Sequence, residues 1–201
     1  VLPFALTKQV LFITEYLLLI LTLKRYKMKS LIVTSLAAVA LLFSCKKIDS
    51  YTQFNIDYEV GILFQSGSPI SVPFNITTPP QETNSSGKFQ ANDTEKDKIE
   101  EIRLTKMYLQ VESPSNADFS FLDEVEIFID ADGLSEISLA HKYNISNNIG
   151  SYLELDVNEN DFKEYVKKDE FTLRVRAVQD EQIFQNIEAT CFMRFFVDAK
   201  I

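Results

Sequence analysis

Residues 170–177 read Glu-Phe-Thr-Leu-Arg-Val-Arg-Ala, and residues 189–197 read Ala-Thr-Cys-Phe-Met-Arg-Phe-Phe-Val. In the first, Phe171, Leu173, Val175 and Ala177 oppose Thr172, Arg174 and Arg176, the two-residue period of a half-buried strand. In the second, Ala189, Cys191, Met193, Phe195 and Val197 share one face. Phe192 and Phe196 stand on the other, which predicts a last strand covered on both sides.

The same period runs through most of the chain. Phe54, Ile56, Tyr58 and Val60 alternate with polar residues, as do Ile70, Val72, Phe74 and Ile76. Pro73 cannot donate to a ladder, so that second strand belongs at an edge or carries a bulge. Between about Glu101 and Glu112 the apolar phase slips by one residue between Leu104 and Met107, which requires a bulge or bend. Val125, Ile127 and Ile129 point opposite to Glu124, Glu126, Phe128 and Asp130. Asp130-Ala-Asp132-Gly133 then turns the chain into Ile137-Ser-Leu139, giving a hairpin. Leu153, Leu155 and Val157 form a further strand.

One short helix is expected over 158–168, with Asn158 as N-cap and Phe162, Tyr165 and Val166 as its buried stripe. Residues 78–98 hold one aromatic side chain and read as a mobile loop. About eight strands, polar turns and one helix predict a mostly β fold, a single antiparallel β-sandwich of Ig-like or Greek-key type; a closed barrel is the alternative.

Composition narrows the function. The chain has 201 residues, 46% of them apolar, and a formal charge of -9. Residues 1–44 carry five bases and one acid, so residues 45–201 carry a net charge of -13. An acidic domain with no basic stripe argues against nucleic acid as partner.

The candidates for chemistry are few. His141 is the single histidine, and no Gly-x-Ser-x-Gly elbow accompanies it. Asp130 and Asp132 are spaced like calcium ligands, but an EF-hand loop starting there would need an oxygen ligand at Leu134 and a glutamate at His141. The pair is therefore read as turn chemistry, with no metal expected. Glu124, Glu126 and Asp130 line one face, whereas glycosidase carboxylates flank a bond from two sides. Cys191 shares the inward phase and reads as a buried thiol. No catalytic residue and no cofactor are expected. Tyr and Phe side chains leave a glycan possible as ligand, although the sequence lacks Trp, the strongest stacking residue.

The N-terminal stretch has a different character. Residues 28–45 read Met-Lys-Ser-Leu-Ile-Val-Thr-Ser-Leu-Ala-Ala-Val-Ala-Leu-Leu-Phe-Ser-Cys. Lys29 supplies a charged start, and Leu31 to Phe43 forms an apolar signal helix too short to span a bilayer, which takes about 20 residues. Leu42-Phe43-Ser44-Cys45 resembles the lipobox of bacterial lipoproteins. That resemblance implies signal-peptidase recognition at Leu42, Phe43 and Ser44, removal of residues 28–44, and acylation of Cys45 with fatty chains such as palmitate. It also implies a membrane partner, reached through those acyl chains. More than one chain is needed because each buried CH2 contributes only about 0.8 kcal/mol and a single chain binds marginally.

Residues 1–27 are read as leader ahead of a start at Met28, 45–52 as a tether, and 53–201 as the sandwich domain. The tail after Cys45 lacks an aspartate at the next position, which by the same resemblance points to the outer membrane, on its periplasmic face or the cell surface. The sequence-level expectation is a non-catalytic envelope lipoprotein acting as a binding or accessory module of unknown ligand, such as another envelope protein. A glycan-binding or adhesin-like module is the alternative, and an enzyme of unfamiliar type the third reading.

Overall fold

The computed structural model describes residues 52–200; Cys45 and its lipobox lie outside them. Ten strands form two antiparallel sheets packed face to face, a β-sandwich as the alternation predicts. The first sheet has the order β1–β10–β4–β7, from Gln53–Phe64, Ile187–Ala199, Ile99–Ser113 and Tyr152–Glu154. The second has the order β2–β9–β5–β6–β8, from Phe74–Thr77, Glu170–Gln179, Leu122–Asp130, Ile137–Tyr143 and Asp156–Val157. The two-residue β3, Gln81–Glu82, also pairs with β9.

Alternation sorts the residues. On β10, Cys191, Met193, Phe195 and Val197 are fully buried; on β9, Leu173, Val175 and Ala177 are as well. Phe195 touches Tyr58 and Phe162 edge-on, at centroid separations of 6.0 and 5.9 Å. Phe64 meets Phe121 in the same way at 5.4 Å. Such edge-to-face pairs add to what burial alone contributes.

The sequence marks its irregularities correctly in three places. β2, which follows Pro73, is an edge strand, although it begins only at Phe74; Ser71 has φ 57° and Val72 is exposed. The phase slip in β4 is a bulge against β10 around Thr105, whose hydroxyl donates to the Arg194 carbonyl at 3.0 Å. The 130–133 turn joins β5 to β6, with Gly133 at φ 74°.

Four expectations need correction. Residues 78–98 are folded rather than a mobile loop. They contain β3, a short helix α1 (Ser85–Gln90) and a 3-10 turn at Lys96–Lys98. Phe89 is fully buried and meets Phe54 edge-on. The Thr78 and Thr83 side chains bond the backbone of Leu173 and Lys168. A polar segment is thus held by threonine-to-backbone bonds and one aromatic anchor, which a count of apolar residues does not register.

The helix expected over 158–168 is a single turn, α2, Lys163–Val166. Asn158 does not cap it: its side chain donates to Ser138, extending the β6–β8 pairing. The N-cap position is Phe162, which makes no side-chain cap bond; Asp161 before it accepts from the backbone N–H of Lys163 at 2.9 Å and of Ile102 at 3.0 Å. The predicted stripe holds, with Phe162, Tyr165 and Val166 buried.

The strand expected over 152–157 is two strands in different sheets. The chain crosses at Leu155, whose N–H donates to the Met107 carbonyl, and so ties the sheets together along that side. Finally, Phe192 and Phe196 are only half-buried, so no layer of the described residues covers the outer face of β10.

Truncation of Phe195 to alanine should cost about 3–5 kcal/mol. Phe196→Ala, on the outer face beside the Arg103 guanidinium at 5.2 Å, should cost about 1 kcal/mol or less. Urea denaturation of the full chain in detergent measures both; equal losses would mean that the inward phase of β10 is misassigned.

Candidate binding site

The outer face of the second sheet is occupied by its own charges. Arg174 forms a bidentate pair with Glu136 at 2.8 and 2.6 Å, donates to Asn75 at 2.7 Å and lies 4.1 Å over the Phe128 ring. Glu124 faces Arg176 at 4.0 Å. Glu124, Glu126 and Asp130 share β5, and the first of them is spent on an arginine. The arrangement supplies no acid pair across a cleft.

His141 stands in register with Glu126 and Asp156, on two neighbouring strands, but its ring packs against Tyr143 at 4.8 Å and Asp156 pairs with Lys142 at 3.1 Å. Asp130 and Asp132 border a shallow polar depression with Gly133, Glu170 and Thr172. No three His, Cys, Asp or Glu side chains among the described residues are grouped to hold a metal. Cys191 is fully buried, and burial pushes its thiol far above the usual range, which disfavours the reactive thiolate.

The outer face of the first sheet carries a row of rings. Tyr152, Tyr108 and Phe192 stand side by side, with centroids 4.9 and 4.8 Å apart. Tyr108 is held between the other two rings, and the row acts as a cross-strand ladder.

A second cluster joins β1 to α1. Lys88 Nζ lies 3.4 Å from the centroid of the Tyr58 ring and donates to the Asp57 carbonyl at 3.1 Å. Desolvation lowers its pKa from 10.5 to about 8, against the opposing pull of Asp57. Burial raises the Tyr58 phenol, which donates to the Thr83 carbonyl. These groups consume one another's bonding capacity, with the Tyr58 hydroxyl and the Lys88 ammonium both bonded to backbone carbonyls.

A different arrangement lies at the end of the sandwich, where the β9–β10 connection meets the segment between β4 and β5. There an open cleft of about 310 Å³ is lined by Asn116, Asp118, Gln182, Gln185 and Phe184 among others. Phe184 is 91% exposed, far more than any other large apolar side chain of the described domain. Beneath it Ile183 is buried, and its carbonyl accepts from Gly67 N–H. Asp118 is held by the Ser120 hydroxyl at 2.6 Å and backbone N–H at 3.0 Å. The loop therefore seats one apolar residue inward and holds the next one out in water, beside amide and carboxylate groups. The sequence shows this only as a lone phenylalanine in the polar run Asp180-Glu-Gln-Ile-Phe-Gln-Asn186.

No protein-family model matches the chain, and no curated protein matches it. Among solved structures the chain is similar to a decameric BFDV capsid protein, 8% identical, with a TM-score of 0.39, covering 74% of this chain and 98% of that one. Another is CpGH89CBM32-5 from Clostridium perfringens, determined with GalNAc-β-1,3-galactose: 10% identical, TM-score 0.30, covering 67% of this chain and 94% of that one. Likenesses this distant carry no argument about ligand, and the sandwich stands on its own strand pairing.

The lowered pKa of Lys88 gives a pH prediction. Between pH 8 and 10.5 the unfolded chain binds this proton more tightly than the folded one, so its contribution to stability rises with pH across that window. Lys88→Met should remove that rise. Unfolding free energies at pH 7.5 and 9.5 for both proteins test it; parallel pH profiles would place Lys88 in water.

Proposed function

We propose that the chain is a non-catalytic binding module of the bacterial cell envelope, anchored in the outer membrane by acyl chains on Cys45, and that it engages its partner at the Phe184 cleft. The observation that carries the binding site is Phe184 itself. A ring held 91% exposed beside a polar cleft costs hydration free energy in the free protein and regains it when a ligand covers it. The anchor rests on the lipobox resemblance at residues 42–45. Among the described residues no helix is long and apolar enough to cross a membrane.

The preferred ligand is another envelope protein, because an apolar anchor ringed by polar groups is the composition of a protein–protein contact. A glycan is the second reading. It is favoured by the free ring face, which can stack on a sugar, with Asn116, Gln182 and Gln185 near enough to hydroxyls to orient them.

Two experiments follow. Metabolic labelling with a fatty-acid analogue should mark wild type and leave Cys45→Ala unlabelled; label on neither would remove the anchor and the localisation with it. A photoreactive residue in place of Phe184 should trap one discrete envelope partner in intact cells, while the same residue at Glu164 on α2 should not. Glycan-array binding lost in Phe184→Ala, without a protein crosslink, would move the assignment to the second reading.

A further inference from the structure

The two sides of the sandwich are closed differently. On one side the chain crosses between the sheets at Leu155. On the other lies β1, a twelve-residue edge strand. Its even-numbered residues face β10: Thr52 at its entry accepts from the Ala199 N–H, and Val60 and Ile62 alternate in step with it. The odd-numbered backbone groups point outward. Asp57 is capped there by Lys88 Nζ. Beyond it, Glu59, Gly61 and Leu63 are exposed, and their outward N–H and C=O groups meet no partner among the described residues.

Natural edge strands are guarded by lysine, proline, bulges or covering loops. The first half of β1 has such a guard in Lys88 and α1. The second half, Glu59-Val-Gly-Ile-Leu63, has no such guard among the described residues beyond the single charge of Glu59. It carries no proline or lysine, and its pairing to β10 shows no register shift along its length. Leu63 is 37% exposed, and Ile70 and Val72 in the segment that follows are 42% and 53% exposed.

We infer that this half-edge pairs with the same edge of a second copy of the chain, antiparallel about a two-fold axis at Gly61, joining two four-stranded sheets into one. The register follows from charge and from the Lys88 cap. Centred on Gly61, it engages all three open residues of each copy and sets Glu59 opposite Leu63 of the second copy. Centred on Glu59, it would oppose two carboxylates and call on the capped Asp57 as an acceptor; like charges placed opposite each other destabilise a ladder. Gly61 at the axis adds no side chain where the two strands meet, and a Cβ built there touches nothing within 4 Å. Such an interface is isologous and closes at two copies, leaving no further edge of this kind to propagate. Apposed residues in a hydrogen-bonded antiparallel pair have Cα atoms about 5.5 Å apart, within disulfide range.

The test uses the full chain in detergent. Mild oxidation of Gly61→Cys should give a disulfide-linked dimer, while Asn55→Cys, on the guarded half, should not. The wild-type dimer fraction in sedimentation should rise with concentration and be lost in Gly61→Lys. A Gly61→Cys thiol that reacts freely with a soluble maleimide yet never crosslinks would overturn the inference. So would equal crosslinking at 55 and 61, or a wild type that stays monomeric at every concentration.

Discussion

Everything in this domain hangs on the pairing of β10 with β1 and β4. That central strand fixes which residues face inward on three strands at once, because a one-residue slip would carry every side chain to the wrong face. Its buried set, Cys191, Met193, Phe195 and Val197, meets β1 through Tyr58 and meets α2 through Phe162. The second sheet is organised likewise by β9, which pairs with β2, β3 and β5. The proposed contact sites fall where these two ladders end: at the connection between them, which carries Phe184, and at the unshared edge of β1.

Local sequence rules predict much of this because they act over two or three residues. Pro73 marks an edge strand, the odd step between Leu104 and Met107 marks a bulge, and Asp130 to Gly133 marks a turn; each needs only the backbone chemistry of its own residues. The failures share a different cause. Residues 78–98 owe their order to partners far away in sequence, with Thr83 bonding Lys168 and Tyr58 bonding Thr83. Asn158 is recruited by Ser138, so the helix starts later, at Lys163, behind an Asp161 side chain that bonds Ile102 across to β4. The run 152–157 changes sheets at Leu155 although its alternation is unbroken, since period alone does not say which sheet a residue joins.

The candidate site was legible only in part. Asp130 and Asp132, read from sequence as turn residues, border a shallow polar depression with Glu170 and Thr172, and Glu124 faces Arg176 at 4.0 Å. The sequence raised aromatic stacking as a route to ligand, and the rings that gather in three dimensions, Tyr108, Tyr152 and Phe192, stack first on one another. The ring that stands free is Phe184, and exposure of a single residue in a polar loop is a tertiary property with no periodic signature.

The central claim is that a sandwich built on β10 is sealed along one side and half-open along the other. Residue-resolved amide hydrogen exchange on the full chain at high dilution tests it most directly. The account predicts slow exchange throughout the middle of β10 and β9, slow exchange at Val60 and Ile62, and fast exchange at Glu59, Gly61 and Leu63. Equal protection of odd and even residues in β1, or rapid exchange in β10, would contradict it.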